Sequence, residues 1–191
     1  MKTLFDTVLI NIIILNNDKT IKWDACGLLI IMGIDPGLAI VGYGVIEYDG
    51  FRMKLIDYGA IYTPAKMRVP ERLDILFDSM GKLMERFKPD AVAFEELFFT
   101  NNITTGINVA QARGVCMMAA FRKNQNLFEY TPLQVKQAVT GYGRAEKAQV
   151  QQMVKTILGL SAIPKPDDAA DAVAVAICHA QTVNYRGLNK Y

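Results

Sequence analysis

Histidine and cysteine are the scarce residues of this 191-residue chain, which has one His (His179) and three Cys (Cys26, Cys116 and Cys178). A Ser/Cys–His hydrolase or a histidine-rich metal centre would have to rest on His179 alone, and neither is expected. The cysteines are odd in number, far apart and without a C-x-x-C pair. That pattern argues against a disulfide framework or a zinc site and for reduced thiols in a cytoplasmic protein. A Gly-x4-Gly-Lys-Ser/Thr phosphate loop is also missing. Residues 8–15 are an apolar run broken by Asn11, short of the ~20 residues that a membrane span needs, so no membrane partner is expected. Neither sign of charge dominates, the net being +2. Its distribution is uneven: residues 31–97 carry 8 basic and 11 acidic side chains, residues 131–166 carry 5 basic and 1 acidic. An acidic body beside a basic arm suits a polyanionic substrate held near metal-binding acids.

What the chain does have is a strong first strand. Residues 28–34 form an apolar, β-branched run that drives into Asp35 and stops at Pro36-Gly37. A strand this apolar is covered on both faces and therefore central in its sheet. Asp35 then sits at its carboxyl end, where open α/β sheets place their chemistry, although Asp before Pro-Gly also serves simply to open a turn. Residues 1–27 lack helical or strand periodicity and read as an extension outside the domain.

Strands over 42–48 and 53–62 follow, joined by the hairpin turn Asp49-Gly50. Leu73, Leu76, Phe77, Met80, Met84 and Phe87 mark an amphipathic helix bounded by Pro70 and Pro89. Residues 91–94 read as a short buried strand ending at Glu95-Glu96, parallel to the first by a right-handed crossover. The helical stretch 103–122 is apolar nearly all round, which predicts burial on more than one side. Its small residues Gly106, Ala110 and Gly114 recur every four positions and permit close approach of another helix. A fifth strand is expected over 127–130. Helices follow over 132–139 and 146–158, separated by a Gly-rich loop that carries Arg144, and a last helix runs from 167 to 179. The fold class is α/β: a five-stranded mixed sheet, three antiparallel strands plus two parallel, flanked by helices. Residues 28–183 form the domain and 184–191 a tail.

Four acids stand out. Asp168 and Asp171 are three apart on one face of the last helix, where like charges cost about 0.2–0.5 kcal/mol even when exposed. The apolar body of that helix makes the cost larger, since an unpaired buried carboxylate must be protonated or bind a cation. Helix capping explains one Asp and leaves Asp171 unexplained. Asp35 and Glu95 end parallel neighbouring strands, so a helix across the sheet brings all four carboxylates to one rim. An oxygen-only set suits Mg²⁺ or Mn²⁺, and a pair of such ions serves phosphodiester hydrolysis.

Several stretches together carry a resemblance that spans about residues 28–183. They are Gly33-Ile34-Asp35-Pro36-Gly37 with Gly42-Tyr43-Gly44-Val45, Ala93-Phe94-Glu95-Glu96-Leu97-Phe98, Gln111-Ala112-Arg113-Gly114-Val115, Val135-Lys136-Gln137, Ala145-Glu146-Lys147-Ala148-Gln149-Val150 and Asp168-Ala169-Ala170-Asp171-Ala172. In this order and spacing the chain resembles the RuvC family of Holliday-junction resolvases, which have a ribonuclease H-like fold. The resemblance implies that Asp35, Glu95, Asp168 and Asp171 are catalytic metal ligands for Mg²⁺, two ions per subunit, with Mn²⁺ able to substitute. It assigns Lys136 and Lys147, with Arg144 in the same basic arm, to DNA, and Phe98 to the junction core. It further implies four-way junction DNA as substrate, a homodimer and a RuvAB-type branch-migration partner. The dimer interface is expected on the 103–122 helix at Gly106, Ala110, Gly114 and Met117, with Ile107 and Met118 adding apolar area. Departures from the family pattern are the 1–27 extension and Glu96, where some relatives carry Gln. An actin-like ATPase or sugar kinase also ends its first strand in Asp-x-Gly, but uses two such domains, and no second copy occurs here. A DNA-junction-binding module without chemistry would have no use for four metal-ready acids.

Overall fold

The structure is a computed structural model and describes residues 27–97 and 103–188. In chain order the elements are β1 (Leu29–Asp35), β2 (Ile40–Tyr48), β3 (Met53–Tyr62), α1 (Val69–Phe87), β4 (Ala91–Glu95), α2 (Ile103–Phe121), β5 (Leu127–Tyr130), α3 (Pro132–Thr140), α4 (Lys147–Ile157) and α5 (Asp167–Leu188). The strands form one sheet in the order β3-β2-β1-β4-β5, with β1 at its centre. β1–β2 and β2–β3 are antiparallel, whereas β1–β4 and β4–β5 are parallel. This is the five-stranded mixed sheet expected from the alternation of strand and helix signals, and the arrangement that the family resemblance implies.

Period-two alternation divides β1 between two cores. Met32 and Ile34 face α1 and α2, while Ile31 packs beneath α5. Gly33 and Asp35 lie on the Ile31 side. By the same rule Glu95 follows Ala93 on the α5 side of β4. In α5 residues 172–180 are all buried. Its length also exceeds the expected 167–179, because the helix runs on to Leu188. α3 and α4 contribute Val135, Val139, Val150 and Val154 to the α5-side core.

α5 can lie this close because the strands beneath it present glycine. Gly33 pairs with Gly44, and Asp35 with Gly42, across the β1–β2 ladder. A side chain at Gly33 would collide with the backbone of Ala172 and Ala176, one at Gly44 with Val173, and one at Gly42 with the Asp168 carbonyl. The helix thus rests on backbone, and its first turn is pressed against the end of β1.

His179 belongs to this core. Its Nδ1 lies 2.8 Å from the Tyr130 hydroxyl and its ring 4.2 Å from that of Phe128. α2 has two unlike faces. Ala112, Cys116, Ala119 and Ala120 are buried, but Ile107, Gln111, Gly114, Met118 and Phe121 form an exposed stripe along the opposite face. Among the described residues only one side of this apolar helix is covered. Met117 turns toward the core on the α1 side, while Gly106 and Ala110 are half-buried.

Candidate active site

Three acids converge where β1, β4 and the first turn of α5 meet, and Asp168 stands beside them. The β1–β4 register pairs Ile34 with Phe94, so Asp35 and Glu95 are the next residues on adjacent parallel strands. Both point to the α5 side, and Glu95 shares a hydrogen bond with Asp35. Glu95 makes this contact, and the backbone N–H of the neighbouring Glu96 donates to the Tyr130 carbonyl at 2.8 Å. α5 delivers Asp168 and Asp171 from above. Asp167 on the same turn is held by Lys165 at 2.6 Å.

Crowding carboxylates into a half-buried corner disfavours their charged forms. Burial, then the negative charges of Glu95, Asp171 and Asp168, push the Asp35 carboxyl up to about 8. Burial raises Glu95 as well, with Asp171 adding to it and the Asp35 hydrogen bond, Lys136 and Lys147 opposing it. Asp171 is raised chiefly by burial, against a hydrogen bond and charge from Lys147.

Lys147 is the residue that the order of the chain conceals. No Lys or Arg lies within a turn of Asp171 in sequence, yet the Lys147 ammonium is 2.7 Å from Asp171 Oδ2 and 4.0 Å from Asp167. The cluster therefore has a cation of its own. Burial works against the Lys147 charge, but its bond to Asp171 and the fields of Asp171, Asp167 and Asp35 outweigh burial and raise its pKa. The one signal that could have revealed this contact is the position of Lys147 at the first turn of α4, a helix that must pack on α5. Gly33, Gly42 and Gly44 are further site-building residues whose part was not foreseen. Their signal was glycine at facing positions of adjacent strands.

The chemistry of the donor set fits a hard divalent ion: oxygen ligands only, held in mutual repulsion that a cation relieves. Among the described residues no three His, Cys, Asp or Glu side chains already form a cage for one ion. The acids would have to converge further, with Lys147 giving way at Asp171. Of the other expected residues, Lys136 acts on Glu95 through its charge. Arg144 is exposed on the loop between α3 and α4, and Phe98 lies outside the described residues. A cleft of about 630 Å³ lies between the β2–β3 turn and the end of α4, at the far end of the sheet from the acids.

Comparison with known proteins gives a consistent picture. The family model of crossover junction endodeoxyribonuclease RuvC matches residues 31–179. The crossover junction endodeoxyribonuclease RuvC of Alkaliphilus oremlandii is 57% identical over 162 residues, 85% of this chain and 99% of that one. That of Ruminiclostridium cellulolyticum is 59% identical over 154 residues, 81% of this chain and 93% of that one. Among solved structures, Thermus thermophilus RuvC in complex with Holliday junction substrate superposes with a TM-score of 0.77. It is 34% identical, and the match covers 83% of this chain and 96% of that one. Family model, relatives and fold agree over the stretch that holds all four acids, and the chain belongs to the RuvC family of crossover junction endodeoxyribonucleases.

Proposed function

We propose that this protein resolves four-way (Holliday) DNA junctions in recombination and repair by metal-dependent hydrolysis of phosphodiester bonds at Asp35, Glu95, Asp168 and Asp171. The observation that carries this reading is the convergence of acids from β1, β4 and α5 on one rim, with carboxyls destabilised as anions. Mg²⁺ is the ion such a donor set suits, two per subunit, with Mn²⁺ able to substitute. When bound, the ions supply Lewis acidity at the attacking and leaving oxygens of the phosphodiester.

The chain's own residues do the rest. Asp35 and Glu95, fixed on neighbouring strands, hold the rigid half of the site. Asp168 and Asp171 complete it from a helix whose position is set by the glycine floor. Lys147, within reach of both Asp171 and an approaching phosphate, exchanges one anion for the other as DNA arrives and frees Asp171. Lys136 and Arg144 extend the positive surface along the backbone, where phosphate contacts give affinity without sequence. Phe98 takes the junction core.

Two cuts on strands of like polarity require two sites related by a two-fold axis, and a self-complementary interface provides them. The exposed stripe Ile107, Gly114, Met118 and Phe121 on α2 is the surface we assign to that homodimer. The catalytic unit is residues 28–183, working in the cytoplasm with a RuvAB-type branch-migration complex. The test is incubation with a four-way junction labelled on each strand in Mg²⁺, and separately with ATP. Symmetric paired nicks are expected. ATP turnover without nicks would favour the actin-like reading instead.

A further inference from the structure

The loop that joins α3 to α4 holds an exposed aromatic ring that no part of the cleavage chemistry uses. Its backbone is locked. The Gln137 side chain donates to the Gly141 carbonyl at 2.8 Å and accepts from the Gly143 N–H at 3.0 Å. The Tyr142 N–H donates to Thr140 Oγ1 at 3.1 Å, and the Ala145 N–H to the Tyr142 carbonyl at 3.1 Å. Gly141 is left-handed at φ 75°, and Gly143 admits Leu133 where a side chain would be crowded. On this rigid frame Tyr142 is 59% exposed. A core aromatic would be covered, and an idle one would not need so fixed a backbone. Holding the ring in place beforehand removes the ordering cost of any contact it makes.

Two further observations say what it would contact. The loop leads directly into Lys147, whose ammonium lies 2.7 Å from Asp171, so it borders the cleavage rim. Beside Tyr142 is a groove of about 510 Å³, also lined by Thr140, Ala148, Gln149, Gln152 and Met153. It has an aromatic wall, an apolar floor and an amide edge, which is the complement of a nucleobase rather than of a phosphate. Gln149 already spends its carbonyl oxygen on the Glu146 N–H at 2.9 Å, which leaves its NH₂ to donate. On α4 the groove residues turn away from α5, whereas Lys147 turns toward Asp171. A strand cut at the acids therefore crosses Lys147 before it reaches Tyr142.

We propose that this groove receives a nucleotide of the cleaved strand on the far side of Lys147 from the scissile phosphate, with the Tyr142 ring against its base and the Gln149 and Gln152 amides at its edge. Tyr142 is then a determinant of where the strand is cut. This rests on the nuclease reading above.

The test maps cut sites on a mobile four-way junction in Mg²⁺ for wild type, Tyr142→Ala, Tyr142→Leu and Tyr142→Phe, with thermal melts of each. Stacking on a base is worth about 1–3 kcal/mol and holds the base edge against the Gln149 and Gln152 amides, so Tyr142→Ala and Tyr142→Leu should melt like wild type yet cut preferred sites roughly tenfold less and spread cleavage to neighbouring sites. Tyr142→Phe should keep the wild-type pattern. An unchanged pattern in Tyr142→Ala overturns the proposal while leaving the nuclease reading intact, and so does a Tyr142→Phe pattern as relaxed as that of Ala. Failure of wild type to cut any junction overturns the nuclease reading itself and this proposal with it.

Discussion

Replacing Asp35 with Asn should make the metal-free protein more stable near neutral pH, although it removes a residue at the heart of the site. Unfolded, Asp35 loses its proton near its ordinary value of about 4. Folded, burial and the neighbouring acids hold the proton until about 8. Between those limits the native state binds one more proton than the unfolded state. Stability therefore falls as pH rises, by about 1.4 kcal/mol per unit. At pH 7 the accumulated loss is about 4 kcal/mol relative to pH 4, and above pH 8 the curve flattens. An amide does not titrate, so Asp35→Asn escapes this loss. Glu95 and Asp171 are shifted the same way and leave a shallower slope behind. For a domain of this size about 4 kcal/mol corresponds to on the order of 10 °C in Tm. The assay is thermal unfolding in EDTA from pH 5 to 8, repeated in Mg²⁺. The wild-type Tm should fall across this range and recover with metal, while Asp35→Asn should stay flatter and respond less. Parallel curves for the two proteins would refute the reasoning.

Other perturbations act on the parts separately. Gly42→Val should drive α5 away from β1, costing about 1–3 kcal/mol from overpacking and abolishing cleavage; calorimetry and a junction assay check it. Lys147→Ala should fold, because its ion pair is half exposed. Its junction binding should fall, with a log–log salt slope shallower by up to about one unit. An unchanged slope with lost cleavage would place Lys147 at the scissile phosphate. Gly114→Glu, at an open position on α2, should sediment as a folded monomer that nicks junctions singly. A Gly114→Glu protein that is still dimeric would move the interface elsewhere.

Much of the fold was legible because its signals are local. The apolar run before Asp35 identified the central strand, and Pro70 and Pro89 bracketed α1. The acids were legible because Asp171 sits in an apolar helix with no neighbouring base, and because strand ends on parallel neighbours must share a rim. The contacts that were not legible are tertiary. Lys147 is 24 positions from Asp171, and nothing in a linear pattern says that α4 aims its first turn there. Gly33, Gly42 and Gly44 matter through the backbone of α5, which lies far along the chain. α2 was ambiguous because an apolar helix has the same composition whether its second side meets its own core or another chain. Met117 and Met118 are adjacent in sequence, and only the structure separates the packed one from the exposed one.

The most direct measurement is anomalous diffraction at the manganese edge from crystals of the wild-type protein grown with Mn²⁺ and a junction too short to release. The account predicts anomalous peaks bounded by Asp35, Glu95, Asp168 and Asp171, with the Lys147 ammonium displaced from Asp171 toward phosphate. Peaks only at other residues, or a Lys147–Asp171 pair kept at 2.7 Å with DNA bound and cut, would contradict it.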